Sequence, residues 1–264
     1  MLYNINGEIF MKKLIFIILL FPLFLISCSS GEKPEITNDE MNDVINNKNG
    51  NEDAEIELKK VSEYDNNIEI INEYSKRFKE LPKFKQIAEG STDAFLVTQK
   101  IYSSLSKDGN KYIIYNTSNS SMKNQYHEAI FNDKITYRNN KDDEFQEIKL
   151  EDYKNEYGVT PYDTTFFDCI INENTVSKIE KEIVESNYKF VLDLNVETDT
   201  AKYLQLQMKK LGDLGDYPKF KSIRLTIIMD NDFMPISGKI EAEYEIKYIF
   251  RFDCKQVLDV KFEF

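Results

Sequence analysis

The chain contains a single histidine, His127, so a nucleophile–base–acid arrangement built on imidazole would have to use this residue. His127 lies in the strand-like segment QYHEAI. The chain has no Gly-x-Ser-x-Gly turn, no cysteine–histidine pattern and no phosphate-binding glycine loop. We therefore interpret His127 as a surface or half-buried strand residue, and we expect a protein without catalytic residues.

Asp193, Asn195, Glu197 and Asp199 occupy alternate positions, as the ligand residues do at the start of an EF-hand calcium loop. Such a loop needs glycine at its sixth position and glutamate at its twelfth. Those positions hold Thr198 and Leu204. Carboxylate pairs elsewhere carry little weight, because a chain with 46 acidic residues contains many by chance. The sequence predicts neither a metal site nor a cofactor.

Cysteines occur at three positions, Cys28, Cys169 and Cys254. The last two each follow a Phe-Asp pair in apolar surroundings. A disulfide between them is permitted outside the cytoplasm, and two buried free thiols are an equal alternative. Both alternatives stay open, because the sequence does not place the two Cα atoms within bridging distance.

Cys28 stands at the end of a segment with the features of a secretory signal. Lys12 and Lys13 precede an apolar run over residues 14–26, which is shorter than the roughly 20 residues needed to span a bilayer. The four residues that end at Cys28, LISC, resemble the lipobox of bacterial lipoproteins. The resemblance implies cleavage between Ser27 and Cys28 and a diacylglyceryl thioether on Cys28. Its acyl chains, such as palmitate, would anchor the protein to the extracytoplasmic face of the cell membrane.

Three parts of the chain are predicted. Residues 1–27 form a signal peptide whose translation we expect to begin at Met11, because Glu8 is atypical of a signal start. Residues 28–64 form the lipidated N-terminus and an acidic, flexible tether with too few large apolar residues to order itself. Residues 65–264 form a single α+β domain.

The net charge of the chain is −12. A surface this acidic repels nucleic acids and anionic lipid headgroups. We therefore exclude nucleic-acid binding as a function and leave membrane attachment to the acyl chains alone.

The domain is predicted to begin with a helix over residues 68–81, whose apolar residues recur at spacings of three and four. Asp65 or Asn66 can cap its start, and Pro82 ends it. The remaining elements follow from the same kind of pattern: five strands between residues 95 and 150, a helix after Thr160-Pro161, two strands between 178 and 194, a helix over 200–211, and three strands after 223.

The last part of the chain carries the strongest β-strand pattern. Every even position from Ala242 to Cys254 is apolar, most odd positions are charged, and the same parity continues to Phe264. This pattern predicts a sheet with one buried face and one solvated face. A single strand of that length would be unusual, so we expect a turn or bulge near residues 253–256.

The order of elements behind a lipobox resembles the LolA/LppX-like lipoprotein carriers, with the segments DGNKYIIY and TIIMDNDFMPISGKIEAEY as the corresponding hairpins. The resemblance implies a curved antiparallel β-sheet, an open half-barrel, with two to three helices packed across one face. It also implies a hydrophobic ligand between sheet and helices. No ligand-binding residues carry over, because the contacts in that family are diffuse and apolar.

Aromatic residues are abundant, with 16 tyrosines and 18 phenylalanines, and several fall on the apolar face of the C-terminal strands. This face is either a packed core or the wall of a hydrophobic cavity. The candidate wall combines sheet positions with the helix over 200–211, and its residues are Tyr244, Ile246, Tyr248, Phe250, Phe252, Leu204 and Met208.

We therefore expect a membrane-anchored extracytoplasmic lipoprotein that binds or carries a lipid or another hydrophobic ligand without catalysis. The alternative is a protein-interaction or envelope-sensing module without a small-molecule ligand. An apolar cavity would favour the carrier, whereas a packed interior with an exposed patch or open strand edge would favour the interaction module.

Overall fold

The structure is a computed structural model, and it describes residues 59–94, 97–121, 124–157, 160–161, 174–197, 205, 216–247 and 251–264. The helices with described bounds are α1 (Asn67–Glu80) and α2 (Leu150–Tyr157), preceded by a short 3₁₀ helix (Val61–Glu63). The strands are β1 (Lys83–Ala94), β2 (Val97–Asp108), β3 (Lys111–Asn119), β4 (Asn124–Phe131), β5 (Ile135–Arg138), β6 (Gln146–Ile148), β7 (Val176–Val184), β8 (Asn187–Leu194), β9 (Lys219–Met229), β10 (Pro235–Lys247) and β11 (Arg251–Glu263).

All eleven strands form one antiparallel sheet in the order β6-β5-β4-β3-β2-β1-β11-β10-β9-β8-β7. The sheet consists of two meanders, β1 to β6 and β7 to β11. They join where β1 pairs with β11, from Lys85 opposite Glu263 to Ala94 opposite Cys254. Within the described residues the outer strands β6 and β7 do not pair with each other, so the sheet is open. The coarse prediction of an open antiparallel sheet with helices is confirmed, and it is consistent with a curved half-barrel.

One face of the sheet carries the hydrophobic core. The predicted parity of the C-terminal strands is confirmed at the buried even positions Ala242, Tyr244, Ile246, Cys254, Leu258 and Val260. Phe252 and Phe262 are partly buried, whereas Phe264, which the pattern also places on this face, is 54% exposed. The opposite face of these strands carries mostly charged side chains. The core continues across the other meander through residues such as Ile101, Ile114 and Phe131.

Helix α1 forms where its pattern predicts it. The Oδ1 atom of Asn66 accepts a hydrogen bond from the backbone N–H of Ile68 at 2.8 Å and so caps the helix start. Phe78 is buried, and its ring centroid lies 4.6 Å from that of Phe84 and 5.6 Å from that of Phe262. The helix therefore packs against the sheet where β1 and β11 meet.

The residues just before α1 belong to the same folded unit. Val61 is fully buried, and its N–H donates to the carbonyl oxygen of Asn231 at 2.9 Å. The packed domain thus includes residues before position 65. The rest of the predicted tether, up to residue 58, lies outside the described residues.

Strand β1 was not predicted, so the first meander has six strands rather than five. Its inward positions include Gln86, Gly90 and Thr92 beside Phe84 and Ala88, which hides the apolar alternation on which strand prediction depends. At Gly90 the backbones of β1 and β11 lie close together. A Cβ atom on this residue would lie 2.0 Å from the carbonyl oxygen of Val257. Only glycine fits such an approach.

Helix α2 was also not predicted, since its segment LEDYKNEY offers only Tyr153 and Tyr157 to the core. The predicted strand at FQEIKL is correspondingly short. The turn expected near residues 253–256 is wrong, because β11 begins at Arg251 and runs through these positions. The predicted helix over 200–211 lies outside the described residues except for Gln205, and the helix predicted after Thr160-Pro161 also lies outside them.

Candidate functional site

The buried face of the sheet contains polar side chains in its middle strands, which are β1 to β4 and β11. Among the described residues, no aspartate, glutamate, lysine or arginine is buried. The buried polar residues on this face are Gln86, Thr92, Gln99, Ser103, Asn116, Ser118, His127 and Gln256. A neutral polar zone therefore lies within an otherwise apolar wall.

Three of these residues form a row across adjacent strands, which we call the amide row. Gln99 of β2 is the direct partner of Thr92 in β1, and Thr92 is the direct partner of Gln256 in β11. Direct antiparallel partners present their side chains on the same face, about 5 Å apart. All three side chains are 0% exposed. The Nε2 atom of Gln256 donates to Oγ1 of Thr92 at 3.0 Å.

The amide row has polar atoms without hydrogen-bond partners in the described structure. They are Oε1 and Nε2 of Gln99 and Oε1 of Gln256. Turning the amide of Gln256 around would still leave one of its two polar atoms unpaired. A buried polar group without a partner costs about 1–3 kcal/mol, so these atoms destabilise the fold.

Apolar residues flank the amide row on both sides along the strands. Ile101 and Leu258 lie two positions away in one direction and are 4% and 0% exposed. Ala94 and Cys254 lie two positions away in the other direction and are 4% and 3% exposed. Residues two apart in a strand share a face. A few converging polar groups in an apolar wall are the usual composition of a ligand site.

Tyr244 and Cys254 border the amide row. The hydroxyl of Tyr244 is within hydrogen-bonding reach of Thr92 and of the Cys254 thiol, and burial raises the pKa of Tyr244 well above its ordinary value. Burial likewise raises the pKa of the Cys254 thiol to about 12. Both groups stay protonated and uncharged near neutral pH.

The structure places only part of the predicted ligand wall. Tyr244 and Ile246 lie in the core, and Phe252 is partly buried against it. The other four predicted wall residues lie outside the described residues: Tyr248, Phe250, Leu204 and Met208. The wall as a whole therefore stays a prediction.

Cys254 is the one cysteine among the described residues, and it is a buried free thiol in this structure. Cys169, its proposed disulfide partner, lies outside the described residues, so the disulfide stays untested. Ser27 and Cys28, the predicted cleavage and lipidation site, also lie outside the described residues.

His127 is buried, 6% exposed, rather than at the surface or half-buried as expected. Its Nδ1 atom lies 2.8 Å from Oδ1 of Asn139, which can only accept, so Nδ1 carries the proton. Its Nε2 atom lies 2.8 Å from the hydroxyl of Tyr153, which donates to it. Burial lowers the pKa of His127. With both ring nitrogens engaged, the imidazole links β4 to α2 and to the loop after β5.

A cleft of about 570 Å³ lies over strands β7 to β11. Its lining combines paired charged side chains with buried residues such as Ile223 and Ala242. Arg224 donates from Nε and Nη2 to the two carboxylate oxygens of Asp193 at 2.6 and 3.1 Å, and Lys255 lies 3.8 Å from Glu243. Of the inward positions of β10, Ala242 lines this cleft, whereas Tyr244 and Ile246 of the predicted wall do not. Gln256 of the amide row also lines it.

In the part of the chain that is described, no group of three or more histidine, cysteine or acidic side chains could hold a metal ion. No described helix is long and apolar enough to span a membrane.

Sequence reasoning missed the amide row, although one signal for it was present. Gln256 occupies an inward, even position between Cys254 and Leu258, where the pattern calls for an apolar residue. Gln99 gives the same signal, since it lies between Val97 and Ile101 on the inward face of β2. Thr92 gave none, because β1 had not been recognised as a strand.

The chain matches no known family model and no curated protein. Among solved structures, it is similar to a LolA superfamily protein from Nitrosomonas europaea, at 10% sequence identity and a TM-score of 0.25, over 75% of this chain and 91% of that one. It is also similar to an N-terminal dehydratase from the difficidin assembly line, at 12% identity and a TM-score of 0.16, over 74% and 82% of the two chains.

Proposed function

We propose that this protein is a membrane-anchored, extracytoplasmic lipoprotein that binds or carries a hydrophobic ligand against the buried face of its sheet, without catalysis. The observation that carries the proposal is the unclosed eleven-stranded sheet with one largely apolar face. A closed barrel or a two-sheet sandwich would use such a face entirely for its own core.

The dimensions of the elements support this proposal. Eleven strands spaced about 4.8 Å apart give a sheet roughly 50 Å wide. Helix α1, with 14 residues, is about 21 Å long, and α2, with 8 residues, is about 12 Å long. The two described helices are short relative to a sheet of this width, so the apolar face extends beyond them.

Support for the membrane anchor in this proposal comes from the sequence. The lipobox ending at Cys28 supplies a site for acyl chains, and the described domain begins at residue 59. Residues 28–58 would therefore separate the membrane from the domain. The acidic surface supports an anchor made of acyl chains rather than of basic side chains.

The ligand is tested with the full chain carrying Cys28→Ser, which cannot be acylated. We expect native mass spectrometry to detect a stoichiometric apolar adduct, and organic extraction to release it for identification. A mass equal to that of the polypeptide alone, unchanged after incubation with lipids, would refute the carrier function.

The anchor is tested in the wild-type chain expressed in a bacterial host. We expect labelling by an alkyne-bearing fatty acid and recovery in the membrane fraction, with both lost in Cys28→Ser. Cys169→Ser is the matched control, since it removes a cysteine outside the lipobox. Labelling that persists in Cys28→Ser would contradict the proposed lipidation site.

A second function is favoured by one observation, the open edge at β7. This strand is nine residues long and mostly exposed, and Ile183 is 67% exposed. An exposed edge can pair with a strand of a partner protein. An interaction or sensing module would use this edge, and a clean polypeptide mass in the lipid experiment would turn attention to it.

A further inference from the structure

The unpaired atoms of the amide row define which ligand group could lie against it. Gln99 offers two N–H donors and one carbonyl acceptor, none of them bonded in the described structure, and Gln256 offers one further unpaired acceptor. A partner for both residues has to donate at least one hydrogen bond and accept another. A hydroxyl group does both, whereas an ester oxygen only accepts.

The buried residues around the amide row further restrict which lipid headgroups could bind there. The buried side chains of the described residues include no aspartate, glutamate, lysine or arginine. A charged headgroup placed at the row would lose its hydration without gaining an ion partner, which is strongly unfavourable. The neighbours along the strands, such as Ile101 and Leu258, are apolar and suit acyl chains.

We propose that the amide row binds the hydroxyl group of an uncharged amphipathic lipid, of which a diacylglycerol is the simplest example. Gln99 and Gln256 would pair with the hydroxyl, and the apolar rows on either side would contact the chains. Thr92 holds Gln256 in place through the 3.0 Å hydrogen bond from Nε2. The inference rests on the proposed function, since it requires a lipid against this face.

The test compares three lipids with matched oleoyl chains on the full chain carrying Cys28→Ser, after removal of bound lipid. Dioleoylglycerol has a hydroxyl, trioleoylglycerol lacks a donor, and dioleoylphosphatidylglycerol is anionic. We expect dioleoylglycerol to bind about tenfold more tightly than the other two, the effect of one or two neutral hydrogen bonds. Bound fractions are measured by native mass spectrometry across a concentration series.

The variant Gln99→Leu removes the amide donor and the amide acceptor together and replaces them with an apolar side chain of comparable size. We expect its affinity for dioleoylglycerol to fall about tenfold, to the level of trioleoylglycerol, while its affinity for trioleoylglycerol changes less than about twofold. Gln146→Leu, an exposed glutamine in β6, is the matched control and should behave as the parent. The melting temperature of Gln99→Leu should not fall, because the change removes an unpaired buried amide. Gln256→Leu repeats the lipid comparison independently.

The outcomes separate this inference from the proposed function. Equal binding of dioleoylglycerol and trioleoylglycerol, or an equal loss for all lipids in Gln99→Leu, would overturn the hydroxyl site and leave a lipid carrier. If only water binds to the amide row, dioleoylglycerol and trioleoylglycerol will bind equally well. Failure of every lipid to bind would overturn both proposals.

Discussion

At the scale of single residues, Gly90 tolerates the least change. A Cβ atom there would lie 2.0 Å from the carbonyl oxygen of Val257 and 2.9 Å from the Cα of Leu258. Both are backbone atoms, which cannot rotate away. We expect Gly90→Ala to lower the free energy of unfolding by at least about 2 kcal/mol, measured by urea denaturation.

Gly109→Ala is the control for that experiment. Gly109 has φ of +58° and open space around its Cα, so the added methyl group costs only the left-handed conformation, about 1 kcal/mol. Equal losses of about 1 kcal/mol in the two variants would show that the backbone around Gly90 relaxes to accommodate most of the added methyl group.

Cys254 offers a second prediction at this scale, tested in a chain carrying Cys28→Ser and Cys169→Ser. Burial raises its thiol pKa to about 12 from an ordinary value of 9.0, so the reactive thiolate at pH 8 is roughly a thousandfold scarcer in the folded state. We expect iodoacetamide to label Cys254 only after urea is added. Rapid labelling of the folded protein would contradict the burial of this thiol.

The same pKa shift predicts a pH dependence of stability. Because the folded-state pKa lies above the unfolded one, burial of the protonated thiol stabilises the fold fully below about pH 9. That contribution is lost as the pH rises from 9 towards 12, where the unfolded chain gives up its proton first.

At the scale of elements, the sequence was most informative where apolar periodicity and capping agree. Asn66 and Pro82 bracket α1 as predicted. Strand β1 and helix α2 were missed because their inward positions hold Gln86 and Thr92 in one case and only two tyrosines in the other. Tertiary contacts, rather than local pattern, stabilise these two elements.

The misplaced turn has a simple geometric cause. In the β10–β11 hairpin each residue pairs with one of the same parity, such as Ile246 with Phe252 and Tyr244 with Cys254. The inward positions therefore stay even on both sides of the connection. The pattern predicts the buried face correctly and cannot reveal where the chain turns.

His127 yields a prediction for α2, because the Tyr153 hydroxyl donates to it across the helix–sheet interface. Burial lowers its folded-state pKa below the ordinary 6.5, although Glu128 and Glu156 oppose the shift. The unfolded chain then binds the proton more readily, so the contribution of His127 is present above about pH 6.5 and lost as the pH falls.

The measurement for His127 is the free energy of unfolding at pH 7.5, 6.5 and 5.0 for the wild type and for His127→Gln. We expect the wild type to lose stability relative to the variant as the pH falls, by at most about 1.4 kcal/mol per pH unit. A constant difference between the two proteins at all three pH values would mean that His127 titrates alike in the folded and unfolded states.

At the scale of the whole molecule, stability should depend on position across the sheet. Leu258 is 0% exposed in β11, where the two meanders join, whereas Ile183 is 67% exposed in the outer strand β7. We expect Leu258→Ala to cost about 2–5 kcal/mol and Ile183→Ala less than about 0.5 kcal/mol. Urea denaturation measures both, and similar losses would contradict the described topology.

The candidate site shows the limit of sequence reasoning at this scale. The apolar face of the C-terminal strands was predictable from parity. The amide row was not, because it combines Gln99, Thr92 and Gln256 from three strands, of which Thr92 and Gln256 are 164 residues apart. Only the pairing of β1 with β11 brings these side chains together.

That pairing also bears on the order in which the sheet can form as the chain is synthesised. Synthesis from the N-terminus produces β1 well before β11, so the edge of the first meander stays unpaired until β11 has been made. Such long-range closure is slow, and an unpaired edge readily joins other chains. Folding of this sheet should therefore benefit from chaperones that protect the unpaired edge of β1 until β11 is available.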